Sequence, residues 1–259
     1  MFTILIGSFG ITVNRVTTSF LRTIGIGLGV GILSCQLVQA EELHETDLGS
    51  QWWQFMSSIP ASANPMFDET GAKCVVGQRG DTWFLGGLMG VTLEGEAQGG
   101  GVVTRDCSIP EGKKLFFPII NNVLFDTPNI CGQDNNNLSY EDMVASVKES
   151  TDAATGMKVT LDGRALRNIK RISPQPIDIS LPEKSAWDTL CNAYGLGGVP
   201  SGIYPGTQDG YYVTINHLSI GNHILTIHGA LKPPNTFSLD IVYNLKVVPV
   251  FKVVSVSSE

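Results

Sequence analysis

Near the end of the chain, apolar and polar side chains alternate over eleven positions: Phe237, Leu239, Ile241, Tyr243, Leu245 and Val247 share one parity, and Ser238, Asp240, Asn244 and Lys246 the other. A period of two places all the apolar groups on one face of an extended strand, so this stretch predicts a long strand with one buried face. Strands are also predicted at Tyr211–Asn216 and His223–His228, with a turn at Gly221-Asn222, which makes the last fifty residues an antiparallel meander. Earlier, Lys158–Leu161 and Arg164–Leu166 flank Asp162-Gly163, a dipeptide suited to the positive φ angles of a tight hairpin. Ile177, Ile179 and Leu181 alternate with Asp178 and Ser180. Asp81–Leu85, Val91–Leu93, Val102–Arg105 and Lys114–Ile120 complete the predicted strands.

Helical spacing appears twice. Trp52, Phe55, Met56 and Ile59 fall on one face of a helix over Ser50–Ile59, with Ser50 as N-cap and Pro60 as stop. Ser139 and Asp142 form a capping pair that opens a helix running to about Ala154. Strands outnumber helices, so the expected fold is mainly β: an antiparallel β-sandwich, Ig-like or jelly-roll-like, with one or two short helices.

The first forty residues follow a different logic. They hold no acidic residue, carry only Arg15 and Arg22, and run apolar from Ile24 to Leu33, the layout of a secretory signal peptide. Val38 and Ala40 offer small side chains for cleavage after Ala40, giving a signal peptide over 1–40 and one β-rich domain over 41–259, with a possible subdivision near 155. The apolar run is shorter than the roughly 20 residues of a membrane-spanning helix, so no transmembrane segment is expected after cleavage. Cys35, in Ile32-Leu33-Ser34-Cys35, is the lesser alternative of a lipoprotein anchor. The expected location is therefore exported, periplasmic or extracellular.

Export makes cysteine pairing the natural state for Cys74, Cys107, Cys131 and Cys191. Three connectivities are possible; pairing Cys74 with Cys107 and Cys131 with Cys191 closes stretches punctuated by glycine-rich turns. Loss of Arg15 and Arg22 moves the net charge from −7 to −9, which argues against nucleic acid as a partner.

Several segments together resemble one family: Gln51-Trp52-Trp53-Gln54, Gly77-Gln78-Arg79-Gly80, Trp83-Phe84-Leu85, Ile109-Pro110-Glu111-Gly112-Lys113, Phe116-Phe117-Pro118, Cys131-Gly132-Gln133 and Tyr243-Asn244-Leu245-Lys246-Val247-Val248-Pro249. The family is one of uncharacterised secreted bacterial proteins, hypothetical signal-peptide-bearing proteins with no assigned activity. The resemblance spans nearly the whole mature chain. It implies export and a shared fold, and it transfers no catalytic residues.

Chemistry is sparse. Trp52, Trp53 and Trp83 could stack on sugar rings, although helical spacing already accounts for Trp52 as core, with Trp53 near the helix edge. His217, His223 and His228 are the candidate metal ligands, but an odd separation puts His223 and His228 on opposite faces of one strand, and no cofactor is indicated. Asp81, Glu94, Glu96 and Asp106 surround a glycine-rich stretch and are the candidates for paired-carboxylate hydrolysis. Nucleophile and phosphate-loop motifs are missing, Arg79-Gly80-Asp81 reads as a chance adhesion tripeptide, and Gln133–Asp142 reads as a solvated loop rather than a calcium loop. The leading expectation is a non-enzymatic binding module for a glycan or cell-envelope component. The alternatives are a secreted hydrolase or a purely structural envelope protein, and no oligomeric state is implied.

Overall fold

The computed structural model describes residues 48–95, 100–233 and 237–250. The expected cleavage site and Cys35 lie outside these residues, as does Glu96. None of the described helices is long and apolar enough to cross a membrane.

The fold is mainly β, built from two five-stranded sheets. The first contains β1 (Thr82–Phe84), β3 (Lys114–Phe125), β8 (Gly202–Ile215) and β6 (Ile169–Ile172) in that order, with β7 (Pro176–Leu181) also on β8. The second runs β2 (Gly100–Pro110), β10 (Ser238–Val248), β9 (Gly221–Leu231), β4 (Ala154–Leu161), β5 (Arg164–Ala165). Three helices accompany them: α1 at residues 48–57, α2 (Tyr140–Asp152) and α3 (Ala186–Ala193).

The alternation at the C-terminus does bury one face: Leu239, Ile241, Tyr243, Leu245 and Val247 are all 5 % exposed or less. Their partners across the sandwich are Leu115, Phe117, Ile119 and Ile120 of β3 and Val213 and Ile215 of β8. The opposite face of β3 and β8 is also covered, because Phe116, Val123, Phe125 and Tyr212 pack with Trp52, Trp53, Met56, Trp187 and Leu190 of α1 and α3. The first sheet is thus the middle of three layers. A strand buried on both faces shows no alternation, which is why eleven consecutive residues of β3, Leu115–Phe125, are buried.

Pro118 interrupts that strand. Lacking an N–H, proline is tolerated inside a sheet chiefly at bulges, and the register of β3 against β8 shifts between Pro118 and Ile120. The bulge changes the parity of the strand. Before it Leu115 and Phe117 face the second sheet; after it Asn122 and Leu124 take that side, where α2 supplies Thr151, Met143 and Val147.

Several expectations are corrected here. The sandwich is mixed rather than antiparallel, because β2 lies parallel to β10 and β1 parallel to β3. The C-terminal meander breaks at its first turn: β9 and β10 pair, but β8 belongs to the other sheet. Residues 216–220 therefore cross between layers. Ser50 lies inside α1, which is helical from residue 48, and Val91–Leu93 forms no strand. Helix α3 was not foreseen, although its Ser185 cap accepts from the Asp188 N–H as Ser139 does from Asp142.

The hairpin at Asp162-Gly163 has φ of 50° and 76°, the positive pair its sequence predicts. The bridges are Cys74–Cys107 and Cys131–Cys191, with Cα separations of 5.9 and 5.4 Å. They enclose sequence separations of 33 and 60 residues, so loop-closure entropy assigns each roughly 4 kcal/mol. Replacing either pair by serine should lower unfolding free energy by about 2–4 kcal/mol in urea titrations, and a reducing agent should then produce no further loss from the missing bridge.

Ion pairing beneath α2 is equally specific. Arg171 donates from Nε and Nη2 to the Asp209 carboxylate, and from Nη1 to Asp152, while its guanidinium lies 5.6 Å from the Tyr211 ring centroid. The Asp209 hydrogen bonds hold the Arg171 pKa well above its usual value. Asp209 is fully buried, so Arg171→Met, which strands that charge, should destabilise by about 3–5 kcal/mol in the same titration. Restoring stability with the double change Arg171→Met, Asp209→Leu would confirm that the penalty is the unpaired carboxylate.

Candidate functional site

Residues 58–95 run from α1 to the edge of the sandwich with little regular structure. Their backbone groups need partners, and side chains supply them. Asn64, fully buried, accepts the Met66 N–H at 2.9 Å and donates to the carbonyls of Met56 at 2.7 Å and Ile59 at 3.1 Å. Asp68 accepts the N–H groups of Thr70, Gly71 and Lys73 and the Thr70 hydroxyl. Burial alone would raise the Asp68 pKa, but these bonds bring it below its ordinary value. Gly71 sits at φ 94°, and a Cβ there would meet the Asp106 carbonyl oxygen at 2.2 Å, so no other residue lets this turn lie against β2.

Arg105 holds the same segment from the other side. On β2, Arg105 shares inward parity with Cys107 and Ile109, and it is 1 % exposed. Its Nε donates to the Asp68 carbonyl, and its Nη1 to the carbonyls of Gly86 and Gly87, both at 3.0 Å, and to the Tyr243 hydroxyl at 2.7 Å. The Tyr243 ring lies 5.5 Å from the guanidinium, and its hydroxyl donates to Gly86 O. Burial raises the Tyr243 pKa despite the nearby cation. Every partner of Arg105 here is neutral, and Nη2 has no protein partner.

Arg105 also lines a cavity of about 370 Å³. Met66, Leu88, Met89, Val91 and Val103 form apolar walls, and Phe67 adds a half-buried ring. Its charged lining comprises the buried Asp68, the exposed Glu69 and Glu94, and the half-buried Lys73 besides Arg105. A buried cation with idle donors next to a cavity is the strongest departure from ordinary core chemistry among the described residues.

The residues singled out from sequence are dispersed. Trp52 and Trp53 are fully buried and Trp83 is 6 % exposed, so none offers a ring face to a solvent-borne sugar. Trp53 packs edge-on against Trp52 at 4.8 Å and beside Trp187 at 5.8 Å, and the Trp52 N–H donates to Leu85 O. Trp52 and Trp53 are covered where α1 and α3 pack on the first sheet, and Trp83 lies in the core between the two sheets. Among the four carboxylates, Glu94 lines the cavity; Asp106 faces outward and accepts from Asn244; Asp81 is exposed before β1.

The histidines do not converge, and no group of three or more metal-ligating side chains occurs among the described residues. His228 pairs with Asp240 across β9 and β10 at 2.8 Å, and His217 is exposed on the crossing loop. His223 is more suggestive, since its Nδ1 lies 2.8 Å from Asp162 Oδ2 and its Nε2 3.3 Å from Ser219 Oγ. This resembles a nucleophilic triad only in outline. Nε2 lies nearer to the Ser219 carbonyl, at 2.9 Å, and a carbonyl can only accept. The ring therefore donates its Nε2–H there and leaves the serine without a base.

A second buried polar group lies between α1 and β8. Asn121 donates to the Tyr212 hydroxyl, which donates to Gln208 Oε1 at 2.7 Å. Trp53 also hydrogen-bonds the Tyr212 hydroxyl, while Ser50 Oγ and Gln208 Nε2 have no protein partner.

No family model matches the chain, and no curated protein matches it. Among solved structures, one match is the solution structure of amebosin, at 9 % identity over 56 % of this chain and 96 % of that one, with a TM-score of 0.13. A likeness of that size carries no argument about fold or function.

The Asp162–His223 pair generates a pH prediction. The hydrogen bond to Asp162 raises the His223 pKa above 6.5, and that same bond, with the Ile224 N–H, lowers the Asp162 pKa below 3.8. A raised histidine contributes stability fully below 6.5 and loses it as pH climbs through the folded value; a lowered carboxylate contributes above 3.8 and loses it as pH falls through its own. His223→Gln should therefore flatten the decline in melting temperature on the alkaline side of 6.5, leaving the wild-type and variant curves parallel at higher pH.

Proposed function

We propose that the protein is an exported, non-enzymatic binding module and that the Arg105 cavity receives its ligand, a saccharide-bearing component of the cell envelope or its surroundings. One observation carries the reading: a fully buried guanidinium that lines a cavity and has two unused N–H donors. Burying such donors unpaired is destabilising by about 1–3 kcal/mol, which sets this residue apart from ordinary core packing.

The rest of the lining suits a polyhydroxyl ligand. Sugar hydroxyls both donate and accept, and the cavity offers acceptors at Glu69 and Glu94, donors at Lys73 and Arg105, and apolar contact at Phe67. Its volume lies toward the small end of ligand sites. Two disulfides support export, since such bridges persist in oxidising compartments. A binding role is favoured over hydrolysis because His223 is turned away from nucleophile activation, and because Glu94 is the one proposed catalytic carboxylate that lines the cavity among those described.

The test is a glycan array and envelope-fraction pull-down with the oxidised protein and Val103→Phe. Val103 lines the cavity and is partly exposed, so the larger ring fills space without dismantling the core. Retention of a saccharide class that falls at least about tenfold in the variant, with unchanged unfolding midpoint, is the expected result. Binding indifferent to Val103→Phe would move the site elsewhere, and failure to retain any saccharide would reject the reading.

A further inference from the structure

Away from the cavity, the segment that crosses between the sheets carries a separate device. Residues 216–220 join β8 of the first sheet to β9 of the second, and among the described residues no hydrogen bond between backbone groups holds them. Leu218 packs against the core between the sheets, and Ile220 is exposed. The main chain of the segment is tied by the His223 ring, whose Nε2 lies 2.9 Å from the Ser219 carbonyl oxygen while its Nδ1 lies 2.8 Å from Asp162 Oδ2. A carbonyl and an ionised carboxylate only accept, and a neutral imidazole has a single N–H to give. The two contacts together therefore belong to the doubly protonated ring. We infer that His223 is a proton-operated latch: as imidazolium it ties the crossing segment to the Asp162-Gly163 turn, and on losing its Nε2 proton it releases the Ser219 carbonyl.

The direction of release follows from what else holds each partner. Asp162 stays in place without the ring, because its Oδ1 accepts the Ile224 N–H and its own N–H donates to Ile224 O, both at 2.8 Å. Charge-assisted bonds are about twice as strong as neutral ones, so the proton facing the carboxylate is retained and the one facing the carbonyl leaves. The lone pair then bared on Nε2 faces a carbonyl oxygen, a repulsive contact that moves the segment off. Ser219 Oγ, 3.3 Å from Nε2, can donate to that lone pair, a side-chain contact that leaves the main chain untied. The charges around the ring set the pH sense. Asp162 acts on it directly, and Arg164 of β5 acts on Asp162 in turn. On β10 the residue opposite His223 is the apolar Leu245, Lys246 lies opposite Asn222 on the outer face, and His217 of the segment itself is exposed. The bond to Asp162 raises the His223 pKa above 6.5, so the latch is closed below that pH and opens as pH climbs through the raised value.

Nitrogen NMR of the oxidised chain, from about pH 5 to about pH 9, tests the latch by following the His223 ring and the backbone of residues 216–220 together. The expected result is a ring protonated on both nitrogens at the acid end and loss of the Nε2 proton alone on the alkaline side of 6.5. With the same midpoint, the order parameters of Ser219 and Ile220 should fall from about 0.85 toward about 0.6. His223→Gln, which cannot titrate, should hold those order parameters at one value across the range. Order parameters that do not follow the ring, loss of the Nδ1 proton in place of the Nε2 proton, or a pH response that survives His223→Gln would each overturn the latch. None of these readouts depends on a bound saccharide.

Discussion

The burial of β3 and β8 on both faces is the constraint from which the rest of the molecule follows. One face needs the second sheet and α2, the other needs α1 and α3, and the chain visits these layers in an order that forces long connections across the sandwich edge. Residues 58–95 are the longest of these connections before β2. They bind to the first sheet through Leu85 N–H and Phe116 O, and to the second through Arg105 and the Cys74–Cys107 bridge. A buried arginine is an unusual staple for loops. Its planar fork can reach several carbonyls at once, and that geometry leaves Nη2 without a protein partner.

In the proposed reading, stability and recognition draw on one side chain. The Nε and Nη1 hydrogen bonds fix the positions of Asp68, Gly86 and Gly87, and the loop segments so fixed contribute the cavity's Met66, Phe67, Leu88 and Met89. Walls fixed in this way are preorganised, which on the proposed binding reading limits the ordering that binding would otherwise require. The polar group around Tyr212 on the far side of β8 makes a contrast: its hydroxyl is joined to Asn121 and Gln208, with its pKa raised by burial, and it serves the junction of α1 with the sheet.

The sequence disclosed elements whose physics is local or one-sided. The alternation over Phe237–Val247, the Asp162-Gly163 turn and the Ser139 cap each depend on neighbours a few residues away, and each stands in the structure. Where burial is two-sided the signal disappears: the pattern shows a strand over Lys114–Ile120, but its extension to Phe125 runs through two buried amides, Asn121 and Asn122, that carry no strand periodicity. Helical spacing already marks Trp52 as core, but nothing local reveals the layer that also covers Trp53, because α3, which supplies Trp187 against it, leaves no clear periodic signal. Arg105 did leave a trace. It occupies the same parity as Val103, Cys107 and Ile109, and a charged residue at an inward strand position is the pattern that marks a buried functional group.

The central claim is that the Arg105 guanidinium meets a ligand as well as holding loops, and side-chain nitrogen NMR of the unaltered protein observes that group directly. During titration with a saccharide retained on the glycan array, the account predicts saturable shifts of the Arg105 side-chain nitrogen resonances and slowed exchange of their protons, with the Arg171 signals unchanged. An Arg105 spectrum that stays fixed while the saccharide binds elsewhere, or shifts no more than Arg171 does, would contradict it and reduce Arg105 to a structural staple.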